Sequence, residues 1–301
     1  MKKPIDVRAA NYLKRKLDAY INLRYVPIDP EKEKENGWLS NFNEEIGSFI
    51  HRLEANVQIT LFRDSILSKL IYFSFEDTEI TFIRKFLKAG DIFFDVGANI
   101  GLFSLYAANK VTNAGKVFSF EPAPITYQRL MSNVVLNELV NVKSENIGLS
   151  SNEAILKFNV SLTGYDAWNS FAELNEIGET ETIEVPVISL DRYIQKNNIT
   201  KIDLIKIDVE GWELNVMKGA INLLSQENAP VLLVEFTETN AFAAGYYCGE
   251  LFDFVKSFGY EWYSYDKETN ELIPQEKKLH YPYENLIAIK NIKEVIVRLK
   301  A

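Results

Sequence analysis

The sequence holds one cysteine, Cys248, and two histidines, His51 and His280, in 301 residues. A single thiol excludes an internal disulfide framework and suits a reducing, cytoplasmic setting. Two histidines so far apart do not make a histidine-rich metal centre or a histidine-centred triad the default. Long apolar runs are missing as well. No stretch reaches the ~18 uncharged apolar residues of a membrane-spanning helix, and the opening Met1-Lys-Lys-Pro-Ile-Asp-Val-Arg8 has no apolar h-region. Positive charge is not in excess: 33 Lys and Arg against 42 Asp and Glu leave a net charge of −9, which argues against nonspecific nucleic-acid binding. What is present, 47% hydrophobic and 13% aromatic residues, suffices for a substantial core in one large domain or a domain with an appendage.

The most informative stretch is Asp91-Ile-Phe-Phe-Asp95-Val-Gly97-Ala-Asn99-Ile-Gly101. Ile92 to Phe94 make the short apolar run of a doubly buried strand, two glycines follow, and Leu102 to Ala108 reads as a helix. A second apolar run, Val117 to Phe120, ends in Glu121, twenty residues after Gly101. That is where a nucleotide-binding α/β sheet places a carboxylate for two ribose hydroxyls. The turn is not G-x-G-x-x-G, because Asn99 stands two residues after Gly97, and no Gly-Lys-Ser/Thr follows to make a phosphate loop. Asp95 at the strand end would repel a pyrophosphate and welcome a cation. S-adenosylmethionine, an ammonium and a sulfonium beside an adenosine ribose, suits that pattern: the glycines admit the ligand to the backbone, Asp95 takes the ammonium directly or through water, and Glu121 takes the ribose. A ligand-free strand–helix turn and a dinucleotide site are the competing readings.

A second constellation is Lys206-Ile-Asp208-Val-Glu210-Gly211-Trp212-Glu213. Alternation puts Leu204, Lys206 and Asp208 on one strand face. A lysine inside a central strand needs a partner, and Glu235, ending the neighbouring strand Pro230–Phe236, is the expected one. Asp208 and Glu210 emerge at the carboxyl edge beside Gly97, so Asp95, Glu121, Asp208, Glu210 and Glu235 crowd one crevice. A buried ion-pair network with a helix start is the alternative. A Mg²⁺ held by Asp208 and Glu210 is a further one.

The remaining pattern frames these two. Residues 1–50 look helical: Ala9, Leu13, Leu17 and Tyr20/Ile21 recur at helical spacing on a basic stretch. Such a helix can lie on a membrane surface or grip an acidic partner. A helix packed on the catalytic domain or on a second subunit, its basic face solvated, is the plainer expectation. Val57–Phe62 and Ile66–Phe73 read as two strands around Arg63-Asp64, and Ile80–Leu87 as a helix capped by Asp77 or Thr78. Thr126–Asn137 is expected helical and Val142–Ile147 a strand, with Ile147-Gly148 bordering the adenine. Strand-like 154–160 and 182–187 flank a polar stretch holding Tyr165, Trp168 and Phe171, aromatics that more often pack a loop down than meet a ligand. Helices 190–195, 211–224 and 251–258 and strands 202–208, 230–236, 260–265 and 286–290 complete the pattern.

With these residues placed, the chain resembles the FkbM-type S-adenosylmethionine-dependent methyltransferases over roughly residues 75–290. The shared motifs are Asp95-Val-Gly-Ala-Asn-Ile-Gly101, Phe120-Glu121-Pro122, Ser189-Leu-Asp191, Lys206-Ile-Asp-Val-Glu-Gly211 and Val234-Glu235-Phe236. The resemblance implies an α/β fold, the class I methyltransferase Rossmann-like sheet of seven strands with the last antiparallel. It also implies O-methylation of a sugar, glycan or natural-product precursor; a binding or scaffolding subunit that keeps the cofactor fold without turnover is the alternative. The expected domains are a helical extension over 1–55 and a methyltransferase domain over 56–301. Asp95, Gly97, Asn99, Gly101, Glu121, Pro122, Ile147, Gly148 and Asp208 are the expected cofactor residues. Glu210 is the expected base, with Asp208 next, and Lys206 is grouped with them to lock the strand ends. No dedicated metal site is expected. Trp212 is read as a structural tryptophan ahead of an acceptor contact.

Overall fold

The computed structural model describes residues 30–42, 47–173 and 179–300. The chain divides into two compact units, residues 1–47 and 48–301. Within the first, helix α1 spans Pro30–Ser40, and Trp38 meets Phe42 edge to face at 4.8 Å. The basic helix expected over residues 9–21 lies outside the described residues.

The second unit opens with β1 (Ser48–Glu54) and β2 (Val57–Phe62), an antiparallel pair. The residues of β1 fall in the helical extension by sequence, yet their ladder to β2 ties them to the second unit. The strand expected over Ile66–Phe73 is instead helix α2 (Ile66–Tyr72). An apolar run serves either period, and here the cap decides. Ser65 is extended, and its Oγ accepts from Ser68 N at 3.0 Å; the buried Ser68 Oγ in turn accepts from Phe62 N at 3.0 Å. The helix start is thereby satisfied and locked to the end of β2.

Helix α3 (Asp77–Phe86) then leads into the main sheet. Its strands in chain order are β3 (Ile92–Val96), β4 (Lys116–Phe120) and β5 (Val142–Glu145), and after the smaller sheet described below β9 (Leu204–Ile207), β10 (Val231–Phe236), β11 (Glu261–Asp266), β12 (Glu271–Pro274) and β13 (Glu284–Ile289). The spatial order is β12-β11-β13-β10-β9-β3-β4-β5. The five strands β3, β4, β5, β9 and β10 run parallel, and β13 pairs antiparallel with β10. This is the expected seven-strand class I methyltransferase sheet with its last strand reversed. The eighth strand, β12, adds to the β11 edge through a tight turn in which Asp266 Oδ1 accepts from Glu268 N and Thr269 N.

Strand order reverses between β3 and β9, the point where open α/β sheets hold ligands above their carboxyl ends. Every residue of β9 and β10 is buried, so the crevice stands on the best-packed part of the molecule. A smaller sheet joins β6 (Gly148–Leu149), β8 (Thr180–Ile188) and β7 (Ala154–Ser161), with β7 and β8 antiparallel. The other helices are α4 (Leu102–Val111), α5 (Pro124–Leu136), α6 (Leu190–Lys196), α7 (Glu213–Lys218), α8 (Ile221–Leu224), α9 (Glu238–Ala243), α10 (Cys248–Lys256) and α11 (Ile292–Lys300). Among the described residues no helix is long and apolar enough to cross a membrane.

Candidate active site

The glycine turn is built from three left-handed residues, Gly97, Asn99 and Gly101, at φ 82°, 47° and 98°. A Cβ on Gly97 would sit 1.8 Å from Asp208 O, so the turn presses directly on the end of β9. Gly97 N and Ala98 N both donate to Phe120 O at 3.0 Å, which ties the turn to β4 as well. Asn99, a residue type tolerant of the left-handed region, makes three contacts. Its N–H donates to Glu121 Oε2 at 2.9 Å, its Oδ1 accepts from Ile100 N at 2.8 Å, and its Nδ2 donates to Asp166 O at 3.0 Å. Glu121 Oε1 also accepts from Ala123 N at 2.9 Å. The carboxylate is therefore aimed by two backbone donors, while burial, with help from Asp166 and Asp95, pushes its pKa up to about 7. The carbonyls of Glu121 and Pro122 both accept from Asn146 Nδ2, which fixes the acidic turn against the end of β5.

Asp95 lies beneath the turn and is fully buried. It shares a register row with Ser119 of β4 and Lys206 of β9. Ser104 Oγ, from α4, donates to Asp95 Oδ2 at 2.6 Å and lies 2.6 Å from Ser119 Oγ. Asp95 Oδ1 is buried and accepts no hydrogen bond among the described residues. Burial raises the Asp95 pKa, opposed by Lys206 and Ser104. An unsatisfied buried acceptor next to a glycine turn fits a cationic ligand, met directly or through a water.

The second constellation meets the first at this edge. Glu235, ending the neighbouring strand, is the partner expected for Lys206 from the sequence; the structure instead pairs Lys206 Nζ with Asp208 Oδ2 at 3.0 Å, two residues along the same face. The ammonium also sits 4.4 Å from the centroid of the Phe103 ring. Burial opposes its charge, but Asp208, Asp95 and Glu76 outweigh burial and raise its pKa. Asp208, Glu210 and Glu235 each bring a carboxylate oxygen within 4.8 Å of the others. Like charges that close are costly unless a proton, a donor or a cation intervenes.

A family model described as the methyltransferase FkbM domain matches residues 95–262. The chain belongs to the FkbM family of S-adenosylmethionine-dependent methyltransferases. Among curated proteins, it is 31% identical over 189 residues to "Methyltransferase sdnD" of Sordaria araneosa, covering 50% of this chain and 73% of that protein. It is 31% identical over 160 residues to "31-O-demethyl-FK506 methyltransferase FkbM" of Streptomyces tacrolimicus, covering 44% and 60%. It is 29% identical over 140 residues to "Hexuronic acid methyltransferase AglP" of Haloferax volcanii, covering 46% and 53%. The match thus spans little more than half the length of several of these relatives. Among solved structures it is similar to Trm5b from Pyrococcus abyssi, at 17% identity and a TM-score of 0.42, covering 82% of this chain and 56% of that one.

Within this FkbM domain, the matched region runs from Asp95 through Trp262 and so contains every candidate cofactor and catalytic residue named from the sequence. The structure gathers Asp95, Gly97, Asn99, Gly101, Glu121 and Pro122 around the glycine turn, and Lys206, Asp208, Glu210 and Glu235 at the ends of β9 and β10. Gly148 lies in β6, where a Cβ would be 2.5 Å from Phe171 Cζ, and Ile147 packs against the main core. Trp212 donates from Nε1 to Ser150 Oγ at 3.1 Å and lies 5.4 Å from Phe171, ring to ring. Tyr165 stacks on the buried Trp168. These aromatics hold the segment between β7 and β8 down, as expected.

Sequence reasoning missed the far wall. Tyr283 OH donates to Glu76 Oε1 at 3.2 Å, and Asn285 Nδ2 donates to Glu79 Oε1 at 3.1 Å. Burial raises the Glu79 pKa, and Lys206 and Asp208 both act on it. Burial pushes the Tyr283 hydroxyl well up, reinforced by Glu76, Glu235, Glu79 and Asp208, and Asn285 stands in register with Glu235 across β13 and β10. The available signal was a polar Tyr-x-Asn alternation entering the otherwise apolar strand β13.

Proposed function

We propose that this chain methylates a hydroxyl oxygen of a sugar, glycan or natural-product precursor, with Glu210 as the general base. The observation that carries the reading is the meeting of Asp208, Glu210 and Glu235 oxygens within 4.8 Å, on the edge against which Gly97 packs. Bound at the glycine turn, S-adenosylmethionine supplies an electrophilic methyl on a sulfonium, and in-line displacement leaves S-adenosylhomocysteine. The chain's own residues do the rest. Glu121, in its ionised form, accepts the ribose hydroxyls. Asp95 and Asn99 hold the turn that takes the amino-acid end. A protonated alcohol is a weak nucleophile, so Glu210 accepts its proton as the new bond forms. Orientation in a buried crevice supplies much of the remaining acceleration. The names of two relatives, a hexuronic acid methyltransferase and a 31-O-demethyl-FK506 methyltransferase, support an acceptor that is a sugar or a natural-product precursor.

The walls carry Glu76, Glu79, Asp208, Glu210 and Glu235, and the lysine among them, Lys206, is already paired with Asp208. Such a wall disfavours an anionic acceptor. The test has two stages. Calorimetry with S-adenosylhomocysteine and, separately, NADH checks the cofactor: micromolar binding of the first alone, lost in Glu121→Ala, is expected. Turnover is then followed as S-adenosylhomocysteine release on methyl hexosides and the matching methyl hexuronides. Neutral hexosides should react at least about ten-fold faster than uronides, and Glu210→Gln should lose turnover while still binding S-adenosylhomocysteine. Full turnover in Glu210→Gln would remove the base assignment. Uronides reacting faster would remove the charge argument.

A further inference from the structure

Glu210 is held in a conformation that a glutamate adopts only under constraint. Its φ is +51°, in the left-handed region, and Gly211 follows at φ +97°. Non-glycine residues persist there when their surroundings over-determine them. Three contacts do so, and all come from elements distant in sequence. Asn240 Nδ2, on α9, donates to Glu210 Oε2 at 2.5 Å. Ser170 Oγ, from the connection between β7 and β8, donates to the Glu210 carbonyl at 2.7 Å. The Asn240 backbone closes over Gly211, where an added Cβ would stand 2.4 Å from Asn240 O. Both Asn240 and Ser170 are buried.

From this arrangement we infer that Asn240 and Ser170 are the positioning residues of Glu210. The inference rests on the reading of Glu210 as the base and goes further by naming what sets its geometry and its charge. Glu210 faces Asp208 from the end of β9 and Glu235 from the end of β10, with carboxylate oxygens within 4.8 Å of one another. A carboxylate can only accept, so the Asn240 amide must present its N–H to it. That donor stabilises the ionised form, which is the form that takes a proton. Asn240 has no exchangeable role of its own, because its amide neither gains nor loses a proton in the working range. Ser170 acts on the backbone instead. By holding the Glu210 carbonyl it keeps the peptide turned so that the side chain projects toward the amide. The two anchors come from separate elements, Ser170 from the connection between β7 and β8 and Asn240 from α9, just after β10. Neither carries a signal in the linear sequence.

The experiment compares wild type with Asn240→Leu, which keeps roughly the shape of the side chain and removes its donor, with Asn240→Asp, which puts a further carboxyl group in place of the amide, and with Ser170→Ala. Turnover is measured on the methyl hexoside panel, and S-adenosylhomocysteine binding by calorimetry serves as the check on fold. A positioning role predicts kcat lowered about 10- to 100-fold in both Asn240 variants, with KM and S-adenosylhomocysteine affinity within about 3-fold of wild type. Asn240→Gln, which retains a donor, should recover part of kcat. A purely space-filling role would spare Asn240→Leu and would not distinguish it from Asn240→Gln. If Asn240→Leu does not bind S-adenosylhomocysteine, Ser170→Ala decides: a several-fold loss in kcat at unchanged affinity supports the inference. Wild-type kcat in both Asn240→Leu and Ser170→Ala overturns it. Wild-type kcat in Glu210→Gln, or no turnover of any hexoside by wild type, overturns the underlying reading instead.

Discussion

At the scale of single residues, the site depends on where side chains are absent as much as on where they are present. Gly97 combines φ +82° with a space that Asp208 O already fills to 1.8 Å of any Cβ. A methyl there is strained twice, by conformation and by contact with backbone that cannot swing away. Gly97→Ala is expected to lower S-adenosylhomocysteine affinity about 100-fold or more, because the shift must pass into the turn or into the end of β9; calorimetry reads it. Gly101 is a milder case, since its neighbour is the flexible Leu130 Cδ1 at 2.6 Å. These glycines and Glu121 were legible because one short segment carries both the turn and its ribose carboxylate at a fixed spacing. Asn240, Ser170, Glu79 and Tyr283 were not, because each enters the crevice from a different element and only the fold assembles them. Lys206 shows the intermediate case. Its need for an acid was readable from burial in a strand, but whether Asp208 or Glu235 answered depended on local geometry that alternation does not supply.

At the scale of elements, caps and clamps decided what periodicity left open. Ser65 turned an apolar run into α2, and without weighing that cap the stretch 66–73 reads equally well as a strand. The Ser189-Leu-Asp191 segment shows the reverse, a motif whose spacing was visible while its work was not. Ser189 Oγ accepts from Arg192 N at 3.3 Å and caps α6. Asp191, the second residue of α6, reaches across to α8, where Oδ2 accepts from Asn222 N at 2.8 Å and Oδ1 from Leu223 N at 2.9 Å. It therefore caps a helix thirty residues downstream from inside another, and the negative charge also suits that helix start. Asp191→Ala should cost about 1–2 kcal/mol of stability, read as a melting temperature a few degrees lower, with S-adenosylhomocysteine affinity unchanged. Loss of affinity instead would mean that the α6–α8 pair supports the crevice directly. The last helix, α11, was overlooked because Ile292–Lys300 alternates charge with apolar residues and has no motif. Its Arg298 nonetheless bridges Asp91 and Asp203 at the amino ends of β3 and β9, with contacts of 2.6 to 3.2 Å.

At the scale of the whole molecule, the dominant feature is the number of acids buried around one sheet edge. Asp95, Glu79, Glu121, Asp166 and Glu213 all have pKa values raised by burial, Glu121 to about 7 and Asp166 to about 6. The sequence displayed the acids and the negative net charge, but not that each of these five would be buried. Raised acid pKa values mean that the folded chain holds protons the unfolded chain releases. Stability from these groups is complete below their unfolded pKa values and is lost as pH rises through the folded ones. For Glu121 that window runs from about 4.5 to about 7, and its full traverse corresponds to on the order of 3 kcal/mol. The ligand-free chain should therefore melt at a lower temperature at pH 8 than at pH 6. Glu121→Gln should flatten the slope, because a neutral amide has no proton to lose. If Glu121 takes the ribose as proposed, cofactor binding reverses the balance: ribose hydroxyls would donate to the ionised carboxylate, so S-adenosylhomocysteine should bind more tightly as pH rises from 6 to 8 and should stabilise the chain most where the free protein is weakest. Melting curves with and without S-adenosylhomocysteine across that range test both halves. A flat profile in the free chain would mean that Glu121 is already ionised at pH 6, held so by its two backbone donors. In that case the site is prepared for the ribose before the ligand arrives, and affinity would show no rise with pH.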